Sequence, residues 1–395
     1  MALPATISVK INLSGGASFG NPFILGTSQL GFAELASSVP VIVDVSTSTL
    51  NISTRRGRNL LQDNYESGSA TIKIVDPNGY FNPQNTASPY YGLLQPLRKI
   101  QASAIYGATT YGLFGGYITE YRYTYPTGQE TGYCTFICYD AFRLMYNSNV
   151  TTVTGGTAGQ TTAQRVQSIL TMIAWPAAFT SIGTGATTCV VDPGTTRTVL
   201  EAIQTAEFTE QGAFYIDENG VATFKGRQFV YDAQAASPTV FNQTGGISYA
   251  GITFALDDKT IVNKATVTRI GGTAQTYSDA TSIAAYFTRS ITATDMLMQT
   301  DANALALATA YVDSRKETSI RIETITLDLM TPSYSAGITA ALSLDFFNTV
   351  DITNEQPGGS TIQKKLQVQG IAHNITPNTW TTTIATQEPL LDVMY

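Results

Sequence analysis

Through its first 150 residues the chain never sustains a helical period. Short runs that alternate apolar with polar, or that are rich in β-branched residues, follow one another between Gly, Pro and Asn. A segment of this kind folds as β-structure, as a barrel or a sandwich. Candidate strands are Ile7 to Leu13, Val41 to Val45, Ala70 to Val75, Ile100 to Tyr106, Tyr111 to Tyr123 and Tyr133 to Tyr139. Between two of them, Asp76 to Pro96 holds four prolines and two glycines among aromatics and Asn, which suits an ordered excursion better than a flexible linker.

The pattern changes at Thr151 to Thr162, where Thr and Gly predominate and charge vanishes. Beyond it, Thr161 to Gln164 has the spacing of a capping box, and Val166, Ile169, Leu170 and Ile173 recur at helical intervals until Trp175-Pro176. A second helix is marked by Thr198 to Glu201 with Val199, Ala202, Ile203 and Ala206 on one face. Ala213 to Ile216 and Val221 to Phe224 then flank Asp217-Glu218-Asn219-Gly220, a hairpin in which both central residues are expected at positive φ. Residues 160–230 thus form a small α+β module. From Gly246 strands return: Ile261 to Ile270, then Ile320 to Leu329 after one helix that starts near Asp301 and carries Leu305, Ala308, Tyr311 and Val312. Lys364 to Gly370 and Trp380 to Thr386 read as paired strands. The expected division is 1–152, 153–245 and 246–395, since 395 residues exceed one ordinary core.

Composition narrows the function. A net charge of −7 is the wrong sign for neutralising phosphates, and the one basic cluster, Arg55, Arg56 and Arg58, is too short for a nucleic-acid tract and reads as a solvated or interface face. Only 13% of residues are charged while 43% are hydrophobic, so neighbours are expected to cover much of the surface. No run approaches the ~20 apolar residues of a membrane helix, and no signal peptide is read. Cys134, Cys138 and Cys189 make no disulfide framework. The first two lie on one strand with Cα atoms ~13 Å apart, beyond disulfide reach, and read as small buried hydrophobes.

Candidate chemistry is sparse. His373 is the only histidine, which removes histidine metal clusters, and it sits in an alternating strand that suits a packed position. Gly16-Ala17-Ser18-Phe19-Gly20 matches a nucleophile elbow, but Asn21-Pro22 follows at once and the helix that should present Ser18 is missing. Asp217, Glu218 and Asp257-Asp258 are assigned to turns. Asp76-Pro77-Asn78-Gly79 lacks the distal ligands of a calcium loop and is read as an Asx-stabilised turn. Neither Gly155-Gly156 nor Gly246 to Gly251 fits a phosphate loop. Tyr121, Tyr123 and Tyr125 share a strand face and serve either sugar stacking or packing. No catalytic, cofactor or metal residue is assigned.

Several segments carry a resemblance. Ser53-Thr-Arg-Arg-Gly-Arg58, followed by Gly68-Ser-Ala-Thr-Ile-Lys-Ile-Val-Asp-Pro-Asn-Gly-Tyr-Phe-Asn-Pro83, resembles tail proteins of long, non-contractile-tailed phages, and the match continues through Asn85, Ser88-Pro89-Tyr90-Tyr91, Leu94, Pro96 and Arg98-Lys99. Gly115-Gly116-Tyr117-Ile118, Tyr139-Asp140-Ala141, Asn263 to Arg269 and Val368 to Pro377 agree in order. The resemblance implies a tail-tip baseplate hub: mainly β with a small α+β module, with two tube-like β-barrel domains flanking and interleaved with smaller domains. It further implies a homotrimer in the virion, at the distal end of the tail, that joins a six-fold tube to a three-fold tip. Its partners would be tail-tube and distal tail proteins, a tape-measure protein and tip or fibre proteins, with DNA passing through an acidic lumen without specific binding. A receptor- or carbohydrate-binding tail protein and a distal tail-ring protein are the alternatives. Leu97 stands where many relatives have a glycine, so the turn before Arg98 is expected to differ. The chain also stops at Tyr395 without the long extension of some hubs, which assigns receptor binding and wall digestion to separate proteins.

Overall fold

In the computed structural model, residues 3–14, 41–58, 64–125, 131–331 and 333–388 are described. The strands of the first part are β1 (Thr6–Asn12), β2 (Ile42–Asp44), β3 (Thr49–Gly57), β4 (Glu66–Val75), β5 (Arg98–Tyr106), β6 (Thr109–Thr124) and β7 (Tyr133–Tyr139), followed by α1 (Phe142–Tyr146) and β8 (Asn149–Val150). Next come α2 (Thr162–Met172), β9 (Thr180–Ile182), β10 (Arg197–Thr198), α3 (Val199–Glu210), β11 (Ala213–Ile216), β12 (Ala222–Lys225), α4 (Arg227–Asp232) and β13 (Thr239–Phe241). The last part has β14 (Gly251–Ala255), β15 (Lys264–Arg269), β16 (Gln275–Ser278), α5 (Ala280–Tyr286), β17 (Ser290–Met296), α6 (Asp301–Arg315) and β18 (Arg321–Asp328). It closes with α7 (Ser335–Ser343), β19 (Thr349–Glu355), β20 (Thr361–Thr376) and β21 (Thr379–Gln387).

The period of two becomes burial. On β7, Cys134, Phe136 and Cys138 are buried while their neighbours are half-buried, and on β21 Trp380, Thr382, Ile384 and Thr386 face inward. The chain is mainly β, as expected, with the α+β module in the middle. Its pairing, however, makes one sheet of thirteen strands in which β14-β18-β21-β20-β3-β4-β7-β6-β5-β1-β2 lie side by side, with β19 also on β20 and β13 parallel to β19. Among the described residues no closed barrel forms. The link between the two ends of the chain is the antiparallel pair β3–β20, in register Arg55↔Ala372, Arg56↔Ile371 and Gly57↔Gly370.

That pairing demands glycine. Gly57 has φ of +107°, and a Cβ there would stand 2.3 Å from the Gln369 carbonyl oxygen and 2.4 Å from the Gly370 Cα, both backbone atoms that cannot step aside. Here β3 and β20 each carry a register irregularity, and the two backbones pass at closer than usual range.

The α+β module follows its sequence signals. Thr161 accepts from the Gln164 N–H at 3.3 Å while the Gln164 side chain accepts from the Thr161 N–H at 2.9 Å, a complete capping box for α2. Thr198 caps α3 by accepting from the Glu201 N–H at 3.0 Å. These helices pack beside the sheet β11-β12-β9. In the turn between β11 and β12 the Gly220 N–H donates to the Asp217 carbonyl, and Gly220 alone has positive φ, so the expected pair of left-handed residues reduces to one. The final part holds three helices where the sequence pattern marks one. Helix α7, of small Ala, Ser, Gly and Thr residues with only Ile338 and Leu342 to mark a face, leaves little periodic contrast to read. Helix α6 lies on the sheet β16-β15-β17 and forms a second, separate core with Val267, Met298, Leu307, Tyr311 and Val312.

Gly57→Ala is expected to lower the stability of the chain by at least roughly 2 kcal/mol, through left-handed strain and backbone collision together. Chemical denaturation reads this as a lower midpoint, and an unchanged midpoint would mean that the β3–β20 crossing has slack.

Candidate functional site

Three parts of the chain meet at Arg56. Alternation on β3 divides the basic cluster: Arg55 faces solvent and pairs with Glu66 at 2.8 Å, whereas Arg56 turns inward and is 7% exposed. Its guanidinium lies 3.6 Å from a Glu218 carboxylate oxygen in the β11–β12 turn and 3.3 Å from Asp345 in the α7–β19 connection, and sits 5.1 Å from the centroid of the Phe346 ring. Arg58 donates to the Gln369 side-chain oxygen at 3.0 Å, an atom that also accepts from the Tyr65 hydroxyl at 2.8 Å. Around these polar groups Tyr65, Tyr215, Phe346 and Phe347 form a cluster with ring centroids 5.0 to 6.3 Å apart. The expected solvated or interface face is thus one solvated arginine and two that join the first sheet strands, the module and the C-terminal part.

Carboxylates here serve backbone and cations. Asp217 accepts from the Asn219 and Val221 N–H groups at 2.9 and 2.8 Å, the turn role read from sequence, and burial pushes its carboxyl up. Glu218 is pushed up by burial first and by Asp345 second, against the pull of Arg56. Asp257 caps its own loop through the Lys259 N–H and also receives both 2.9 Å contacts of an Arg321 nitrogen, while Asp258 pairs with Arg289. Asp76 accepts from the Tyr80 and Phe81 N–H groups at 2.8 and 2.9 Å, so its two oxygens close a turn. The excursion that follows is tied down by the Asn85 amide on the Asn78 and Gly79 carbonyls and by the Ser88 hydroxyl on the Tyr80 carbonyl at 2.6 Å. Leu97 has φ of +66°, the left-handed conformation a glycine takes freely. Arg98 then donates to the Leu93 carbonyl and the Gln95 side chain.

Sequence reasoning misses Asp140. It accepts from the Gly68 N–H at 2.6 Å, the Ser67 hydroxyl at 2.8 Å and the Phe142 N–H at 3.0 Å, and burial pushes it up to about 7. Its signal was the Tyr139-Asp140-Ala141 segment, a lone carboxylate at the end of a buried strand. In the module Glu210 holds the Ala186 and Thr187 N–H groups and the Thr162 hydroxyl at 2.7 to 2.8 Å.

His373 lies on β20, buried, with Nδ1 2.9 Å from the Thr382 hydroxyl and its ring edge-on to Trp380. Burial, with Arg56 adding to it, pulls it down to about 3, so the ring is neutral and packed. Ser18 and the Gly16–Gly20 pattern lie outside the described residues. Cys134, Cys138 and Cys189 are buried free thiols, and burial pushes all three up. The tyrosine stripe does not make one platform: Tyr121 packs against Phe136 and donates to the Gln95 carbonyl, leaving Tyr123 and Tyr125 half-exposed with rings tilted 42°. Among the described residues no group of His, Cys, Asp and Glu is arranged to hold a metal, and no helix is long and apolar enough to cross a membrane.

No protein-family model matches the chain, and no curated protein matches it. Solved structures do. Over 98% of this chain and 97% of that one, it superposes on the tail protein from Neisseria meningitidis MC58 with a TM-score of 0.59 at 12% identity. The 43 kDa tail protein of prophage MuSo2 from Shewanella oneidensis covers 88% of this chain and 96% of its own, at TM-score 0.56 and 11% identity. The chain has the fold of phage tail proteins. A half-lidded PdpA–VgrG complex from Francisella also contains a similar chain, with TM-score 0.52 and 9% identity over 99% of this chain and 59% of that one.

Arg56→Met is expected to cost about 2 kcal/mol by leaving the half-buried Glu218 and Asp345 without their cation. Adding Glu218→Gln and Asp345→Asn to that variant should return part of the loss. Denaturation of the single and triple variants measures it, and equal midpoints for wild type and Arg56→Met would contradict a joining role for this residue.

Proposed function

We propose that the chain is a structural subunit of a phage tail, a baseplate-hub protein that works by self-assembly and docking and not by catalysis. The observation that carries this reading is the end-to-end likeness to the two tail proteins, in which nearly the whole of each chain is matched by nearly the whole of the other. Chemistry supports it as well. The histidine is neutral and hydrogen-bonded, and the buried carboxylates of Asp76, Asp140 and Glu210 are occupied by backbone N–H groups, the work of a scaffold.

In this reading three copies surround the tail axis at the distal end of the virion. They join the six-fold tube to a three-fold tip and leave a lumen for DNA, with tube, tape-measure and tip or fibre proteins as neighbours. The three parts of the chain, 1–152, 153–245 and 246–395, are proposed as its building blocks, locked by Arg56. A net charge of −7 suits a channel wall to which phosphates do not adhere.

Light scattering on the purified chain is expected to return the mass of three copies. A mass of six copies would favour a distal tail ring instead, and specific retention of the isolated chain on a glycan array, lost when Tyr123 and Tyr125 are replaced, would favour receptor binding.

A further inference from the structure

Phe287 is out of place twice over. It is 86% exposed, more than any other large apolar side chain among the described residues, and its backbone stands at φ +59° and ψ 173°, a region that only glycine enters freely. Such a conformation persists only where the surroundings over-determine it, and here they do. The buried Asn263 donates its side-chain amide to the Phe287 carbonyl at 2.7 Å, and its side-chain oxygen accepts from the Arg289 N–H at 2.7 Å. The Asn263 backbone carbonyl accepts from the Asp279 N–H at the start of α5. Asp279 in turn caps α5 through the Ser282 N–H, and the Ser282 hydroxyl donates to the Lys316 carbonyl at 2.6 Å. Both ends of the α5 segment are thus tied down, and the ring is presented in one fixed place. A side chain left bare and held rigid has already lost much of the freedom that binding would cost it.

The chain also carries a hole for such a ring. Where β1, β5 and β6 face the β11–β12 turn, a trough of 430 Å³ is lined by Lys10, Lys99, Ile100, Tyr117, Phe179 and Val221, and no carboxylate stands on its walls among the described residues. That volume is typical of a built pocket. One wall is held closely: a Cβ on Gly115 would stand 2.6 Å from the Asn219 carbonyl carbon. The Lys99 ammonium lies 4.8 Å from the Phe179 ring centroid and is partly withdrawn from water. An ammonium in that setting gains most from aromatic faces, so a ring entering the trough is held by charge as well as by burial. The chain's own Phe287, exposed as it is, does not fill it.

We propose that Phe287 of one copy seats in the Lys99–Phe179 trough of the next, an inference that rests on the homotrimeric reading above. Knob and hole belong to different parts of the chain, so the contact is head-to-tail, and such contacts close into rings rather than two-fold dimers. Three copies make three identical seats, each a buried aromatic anchor in a pocket.

Light scattering over a dilution series, with photo-crosslinking from p-benzoylphenylalanine placed at position 287, makes the test. The crosslink is expected to run between copies and to end on β5, β6 or the Phe179 segment, as mass spectrometry of the digested product would show. Phe287→Gly should raise the concentration at which the trimer falls apart by at least about thirtyfold. The same variant should melt no lower than the wild type when both are dilute, because glycine relieves the backbone. Gln101→Trp, which fills the trough from an exposed position on its wall, should weaken association in the same way. A trimer that persists in both variants, or crosslinks that end elsewhere on the copy or on another protein, overturns this contact and leaves the hub reading standing. A six-copy ring that comes apart with Phe287→Gly would do the reverse, and a wild type that stays monomeric removes the contact.

Discussion

The architecture depends on one buried cation. Strand β3 and strand β20 come from opposite ends of the chain, and their pairing makes a single sheet of what would otherwise be two. Arg56 lies within that pair and cannot be left alone in an interior: a guanidinium removed from water needs anions and a polarisable face around it. Glu218 supplies one anion from the module, Asp345 another from the C-terminal part, and Phe346 the ring. Solvation of this one group therefore fixes where three separately encoded parts must sit. Gly57, next in sequence, allows the backbones to approach closely enough for the arrangement to form.

Low charge density elsewhere gives this junction its weight. With 13% charged residues over 395 positions, few charges are available, and many of those buried are committed to structure: Arg165 and Arg197 to Asp192, Glu210 to three donors of the module, Asp140 to the β4 and α1 backbone. With so small a charged fraction, the surface is rich in hydroxyls, amides and apolar groups. Such a surface suits contact with other subunits.

Local structure was legible where a period or a cap encodes it. The strand Tyr133–Tyr139 follows from strict alternation, the two module helices from Thr caps at the right spacing, and α6 from its apolar face after Thr300. The turn roles of Asp76 and Asp217, the buried cysteines and the packed His373 were legible too, because each residue type has few satisfying environments in such a context. Long-range choices were not. Nothing local says that β3 pairs with β20 rather than closing a barrel with its own neighbours, since alternation records which face is buried and not which strand lies alongside. The inward turn of Arg56 was available in principle, because Ile52, Thr54 and Arg56 share one face of β3, but its partners 162 and 289 positions away (Glu218 and Asp345) carry no mark in sequence. The small second core around α6 escaped for a similar reason: β16 and β17 are short, polar on one side and separated by a weakly patterned helix.

The most direct test of the account as a whole is the position of this chain in an intact tail, by electron microscopy of particles in which it carries a fused density label. The account predicts three labels around the tail axis at the distal end, with the β-rich parts facing the channel. Labels found on peripheral fibres, or absent from the tail altogether, would contradict it.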